Sequence, residues 1–106
     1  MKKNYNTLQN TSEGWKVLQV QGYAALIDDL SFFVYKRTDG FWSVTDMTTG
    51  STAGLAKTRK GAIKIASDRI SEAGYEKCTE LRKNLLSWLV SHNIIDGELN
   101  QPYKEM

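Results

Sequence analysis

Residues 32–46 read Phe32-Phe33-Val34-Tyr35-Lys36-Arg37-Thr38-Asp39-Gly40-Phe41-Trp42-Ser43-Val44-Thr45-Asp46. Two runs of aromatic and β-branched residues flank Thr38-Asp39-Gly40. Such runs suit a pleated, half-buried surface. Asp-Gly between them favours a tight turn whose twist matches the flanking strands. With Asp39 and Gly40 as a two-residue loop, Arg37 faces Trp42, Tyr35 faces Val44 and Phe33 faces Asp46. One face then carries Phe33, Tyr35, Trp42 and Val44 and is expected to enter the core. The other carries Val34, Lys36, Ser43 and Thr45, with Phe32 and Phe41 near its ends, and is expected to face outward. A one-residue shift would exchange the faces.

Upstream, Trp15–Val20 is rich in β-formers. Its alternation changes phase between Val17 and Leu18, as a bulge or burial on both faces would require. Gly22 reads as a break and Tyr23–Ile27 as another short strand. Residues 1–13 are polar and are expected to form a flexible N-terminal tail. Downstream, residues 47–57 read as a loop hinged at Gly50 and Gly54, with Leu55-Ala56 as a very short edge strand.

Thr58 is placed to cap a helix with its hydroxyl. That helix runs to about Ala73, with Ile63, Ala66, Ile70 and Ala73 as its buried stripe and Gly74 as its stop. A second helix spans Tyr75–Cys78 to His92-Asn93. Its stripe is Cys78, Leu81, Leu85, Trp88 and Leu89, widened by Leu86 and Val90, and is expected to pack against both the sheet and the first helix. Residues 98–106 read as a C-terminal tail, with Tyr103 the side chain there suited to docking. The expected fold is α+β: a three- to four-stranded antiparallel sheet followed by two helices packed on one face, in one domain over residues 14–97.

The chain has 106 residues, 41% hydrophobic and 25% charged, which is enough apolar content for a core. One Cys and one His exclude an internal disulfide and a zinc site of the Cys/His type. No apolar run reaches membrane-spanning length, and no apolar signal segment follows Met1-Lys2-Lys3. A cytoplasmic location is expected.

His92 falls at a helix end, where it favours the helix dipole, and Cys78 falls on an apolar stripe, where a free Cys acts as a small hydrophobe. Asp28, Asp29, Asp46, Asp96 and Glu98 sit at turns or strand ends, where Asp in particular bends and caps the chain. Residues 50–58 only superficially resemble a phosphate-binding loop. Three residues separate Gly50 from Gly54 where four are needed, and Lys57 does not directly follow the second glycine. No catalytic constellation forms, so the expectation is no enzyme, no metal, no cofactor and no small-molecule substrate.

Charge is unevenly spread. Residues 57–69 hold five Lys/Arg against one acid, while residues 1–56 balance and residues 70–106 hold four against six. Lys57, Arg59 and Lys60 crowd a helix N-terminus, which already favours anions, and Lys64 lies one turn on.

Trp42-Ser43-Val44-Thr45-Asp46, then Gly50, then Lys57-Thr58-Arg59-Lys60-Gly61-Ala62-Ile63 resembles a pattern in small proteins of phages, plasmids and conjugative elements, the pool that includes anti-restriction and anti-CRISPR proteins. The same order of hairpin, Thr and basic helix start also resembles arm-type DNA-binding domains of tyrosine integrases. In those domains the sheet enters the major groove and the helix packs behind it. The resemblance covers roughly residues 30–70. It departs in the second long helix and in Gly61 where an acid is usual, and no catalytic integrase domain is expected to follow. It implies that Lys36, Ser43 and Thr45, with Arg37 and Thr38, would read bases.

Two functions follow as expectations. The first is a small non-enzymatic binding protein of a mobile element or its bacterial host, contacting a protein partner or a second copy through Phe32, Val34, Lys36 and Phe41. The alternative is a DNA-binding accessory domain that uses Lys36, Arg37, Lys57, Arg59, Lys60 and Lys64.

Overall fold

The computed structural model describes residues 2–101. Five strands, β1 (Lys3–Thr11), β2 (Gly14–Ile27), β3 (Leu30–Lys36), β4 (Trp42–Asp46) and β5 (Thr52–Ala56), precede two helices, α1 (Arg59–Ala73) and α2 (Tyr75–Ser91). The sheet is an antiparallel meander in the order β1-β2-β3-β4-β5. The α+β class therefore holds, with five strands rather than three or four.

The added strand is β1, built from residues expected as a loose tail. It pairs with β2 from Lys3↔Gly22 to Thr11↔Gly14. Tyr5 and Thr7 are buried at the two-residue spacing of a strand. Gly22 does not end the second strand. Residues 14–22 of β2 pair with β1 and residues 23–27 pair with β3. A Cβ on Gly22 would lie 2.4 Å from the Val34 carbonyl oxygen, so only glycine lets β2 pass there.

Continued at the β2–β3 register, Val20 would face Arg37. Instead Tyr5, opposite Val20, stacks on Phe33 with ring centroids 4.8 Å apart. The β1–β2 ribbon therefore folds across the sheet, and Tyr5, Phe33 and Met47 form a second small core with Val20 and Tyr35.

The β3–β4 hairpin is one residue out of the expected register. Lys36 faces Trp42, Val34 faces Val44 and Phe32 faces Asp46. The Arg37 N–H donates to the Phe41 carbonyl at 2.7 Å, and the Gly40 N–H donates to the Arg37 carbonyl at 3.1 Å. With Gly40 at φ +91°, Thr38-Asp39-Gly40 forms a three-residue loop in which glycine supplies the left-handed residue. The faces sort accordingly. Phe32, Val34 and Val44 pack under α1 against Ala62, Ala66 and Ile70. Phe33, Ser43 and Thr45 face the ribbon side and are buried, with the Ser43 and Thr45 hydroxyls 2.8 Å apart.

Thr58 caps α1 as expected, its hydroxyl accepting from the Gly61 N–H at 3.0 Å. Gly74 ends the helix at φ 86° and ψ 155°, a region open essentially to glycine alone. The helix lies so close to β5 that a Cβ on Gly54 would meet the Ala62 carbonyl oxygen at 2.3 Å. Gly54 is thus a packing glycine inside a strand rather than a loop hinge. Of the expected α1 stripe, Ala66 and Ile70 are buried, Ile63 packs partly and Ala73 is exposed.

The stripe of α2 is largely uncovered. Leu89 is its only buried residue, and Cys78 packs partly against the core, while Leu81, at 53%, and Trp88, at 47%, are exposed. Arg82 ties the helix to the sheet through Asp46 at 2.8 Å.

Residues 98–100, expected in the C-terminal tail, are tethered. The Leu99 N–H donates to the Thr48 carbonyl, and the Asn100 amide donates to the carbonyls of Asn6 and Met47. Because the Asn100 side-chain oxygen also accepts from the Asn6 N–H, it closes part of the free edge of β1. Pro102 and Tyr103 lie outside the described residues.

Candidate nucleic-acid interface

The corrected hairpin register relocates the surface expected to contact a protein. Phe32 is 5% exposed and Val34 1%, because both lie beneath the helices. Phe41 is half-buried beside the turn, and Lys36 alone of that set is exposed. Ser43 and Thr45 are covered by the ribbon side and cannot reach a base.

The basic set fares differently. Arg37 is ion-paired with Asp39 at 2.9 Å, and Lys64 with Asp68 at 3.0 Å, so both are partly neutralised. Lys36, Lys57, Arg59 and Lys60 are exposed and in no ion pair among the described residues. The first turn of α1 contains no acid. Its unpaired N–H groups add to the positive potential of these side chains.

Sheet pairing brings further residues to this end. Tyr23 faces Val34 across β2 and β3, and Lys36 faces Trp42 across β3 and β4. All four lie on the helix side, at the end of the sheet where α1 starts. The Arg59 guanidinium sits 4.3 Å from the Tyr23 ring centroid, and the Lys2 ammonium 6.0 Å from it, both within cation–π reach. Lys3 opens β1 beside them and lines the same cleft as Tyr23 and Arg59.

Tyr23, Trp42, Lys2 and Lys3 were not identifiable as site residues from the sequence. Their placement depends on β1 being a strand and on the true register. The one local signal was the Lys3-Asn4-Tyr5-Asn6-Thr7 alternation, in which Tyr and Thr mark one face.

The cluster contains no His, Cys, Asp or Glu side chain. His92 is at the far end of α2, its ring stacked on Trp88 at 4.2 Å and Nδ1 2.8 Å from the Trp88 carbonyl oxygen. Among the described residues no group of His, Cys, Asp or Glu is arranged to hold a metal ion, and no helix is long and apolar enough to cross a membrane. Burial pushes the Tyr5 phenol above its ordinary pKa. What the arrangement can do is attract and hold anions beside exposed aromatic surface. Comparison with known proteins yields no matching family model, no matching curated protein and no matching solved structure.

Proposed function

We propose that the chain is a small non-enzymatic nucleic-acid-binding protein that holds phosphates at the end of the sheet where α1 begins. One observation carries this reading. Lys2, Lys3, Lys36, Lys57, Arg59 and Lys60 are exposed and free of ion pairs among the described residues, and two partly exposed aromatics, Tyr23 and Trp42, stand among them. A cationic surface interleaved with aromatic rings suits a phosphate backbone with bases against it. If all six cations meet phosphates of a single strand, the log–log slope of affinity against salt is about −4. Fluorescence anisotropy with a labelled oligonucleotide tests the reading. Binding at low salt should fall at least tenfold in the double variant Arg59→Ala, Lys60→Ala. Absence of binding at about 50 mM salt would refute it.

A second reading rests on the stripe of α2, which the rest of the fold covers only in part. Cys78, Leu81, Leu85 and Trp88 follow the three–four spacing of a helix–helix seam, and Leu81 and Trp88 are half exposed. The occupant this spacing suits is a second copy of the chain. Light scattering should then show a dimer that Leu81→Glu converts to a monomer.

A further inference from the structure

Two clefts flank Tyr23, one of about 450 Å³ and one of about 310 Å³. Both fall within the usual size range of small-ligand sites. The first places Lys3 and Arg59 beside an apolar wall of Ala24, Ala25 and Leu26. The second places Lys2 and Lys36 beside Trp42 and Val20. Each cleft therefore repeats one composition, two cations and an apolar or aromatic wall. Tyr23 is common to both and stands between them.

We infer that this surface takes single-stranded nucleic acid in preference to duplex, with successive unpaired nucleotides in the two clefts. The inference rests on the nucleic-acid reading above and names its substrate class. In a duplex the bases are paired inside, and a protein reads them by pushing a helix or ribbon into the major groove. Beside the cation cluster, the ribbon that could do so is β3–β4, through its face opposite α1. Its Ser43 and Thr45 are each 1% exposed, so that face is closed. At the cationic end the surface on offer is the two clefts, and clefts accept only bases that can be splayed out of a stack.

In each cleft the two cations would neutralise the phosphate while the base lies against the apolar wall. Trp42 offers the larger partly exposed ring for stacking. Tyr23 holds the Arg59 guanidinium over its own face at 4.3 Å, and so fixes the direction of that cation without occupying the second cleft.

The test is anisotropy with four labelled probes of about 16 nucleotides, a length suited to such sites. They are a mixed-sequence DNA strand, the same sequence as RNA, the matching duplex, and an abasic strand of equal charge. The DNA or RNA strand should bind at least tenfold tighter than the duplex and than the abasic strand. Trp42→Leu should lower single-strand affinity about tenfold or more, in line with the loss of one stacked base. Trp42 also packs against the core, so Lys36→Ala and Lys2→Ala, at exposed positions, serve as fold-neutral variants. Each should weaken the single strand several-fold. Duplex binding as tight as single-strand binding would overturn the strand preference while leaving the nucleic-acid reading intact. An abasic strand binding as tightly as the normal one would overturn the base clefts. No binding by any probe at low salt would defeat the underlying reading itself.

Discussion

The Arg59 guanidinium lies 4.3 Å from the centroid of the Tyr23 ring, although one residue opens α1 and the other lies in the middle of β2. The pair links the basic helix start to the strand that borders both clefts. A stacked guanidinium loses less freedom on binding a phosphate than a free one, since its plane is already set. Arg59→Ala should lower the salt slope of oligonucleotide binding by about 0.7, the share of one phosphate contact on a single strand. Tyr23→Leu should leave the slope near its original value and weaken affinity at every salt concentration, because the charge remains while its aim is lost. Equal slopes for the wild type and Arg59→Ala would remove Arg59 from the interface.

Asp46 is expected to govern stability rather than binding. Its side chain is 6% exposed and accepts from Arg82 at 2.8 Å and from the Thr49 hydroxyl at 2.7 Å. It thereby anchors α2 and the 46–51 loop to the same strand end. Asp46→Ala would leave Arg82 partly buried without a counter-charge and the Thr49 hydroxyl without its shortest acceptor. A loss of about 3 kcal/mol in denaturant unfolding is expected. The same substitution in an Arg82→Met background should cost clearly less, and equal costs in both backgrounds would show that the ion pair is not the cause.

The parts of the fold that were legible were those fixed by local chemistry. The Thr58 hydroxyl, the Gly74 stop and the three–four spacing of Ala66 and Ile70 each act within a turn or two of helix. The β3–β4 hairpin was legible as a hairpin, but its register was not. Asp39-Gly40 serves a two-residue loop and the last two positions of a three-residue loop equally well, and the difference exchanges the faces of Phe32 and Phe33. β1 was hidden because its inward positions, Tyr5 and Thr7, are amphipathic and its outward ones are Asn and Lys. The α2 stripe misled for another reason: periodicity reports an apolar face and not what covers it. At the site, Lys57, Arg59 and Lys60 stood out as three charges within four residues. Tyr23, Trp42, Lys2 and Lys3 became neighbours only through pairings distant in sequence.

Gly54 offers a direct check of how closely α1 approaches β5. A Cβ there would lie 2.3 Å from the Ala62 carbonyl oxygen and 2.9 Å from the Ala66 nitrogen. Both obstacles are backbone, so no rotamer change relieves them. Gly54→Ala should force the helix outward and destabilise the fold by about 1–3 kcal/mol or more. Gly97→Ala, where an added Cβ meets nothing within 4 Å, is the control and should stay within about 0.5 kcal/mol of wild type. Because α1 carries Arg59, Gly54→Ala should also weaken oligonucleotide binding in the fraction that remains folded.

Tyr5 predicts a pH effect of defined sign. Its ring is buried against Phe33, and loss of water disfavours the phenolate, so its folded pKa is raised above the ordinary value of about 10. The unfolded chain keeps that ordinary value. Below about pH 10 the phenol is protonated in both states, and its contribution to stability is fully present. As pH rises from there through the folded pKa, the unfolded state loses its proton first and the contribution is lost. Thermal unfolding of wild type and Tyr5→Phe, followed from neutral pH into this alkaline window, should therefore give curves that keep a constant separation at first. They should then draw together or cross as the wild type falls more steeply. Tyrosinate absorbance should show the same group directly, as a titration phase above the ordinary tyrosine range that Tyr5→Phe removes. Curves that remain parallel throughout would mean that the phenol has the same pKa folded and unfolded, so that burial does not raise it and Tyr5 holds the ribbon on the sheet by stacking alone.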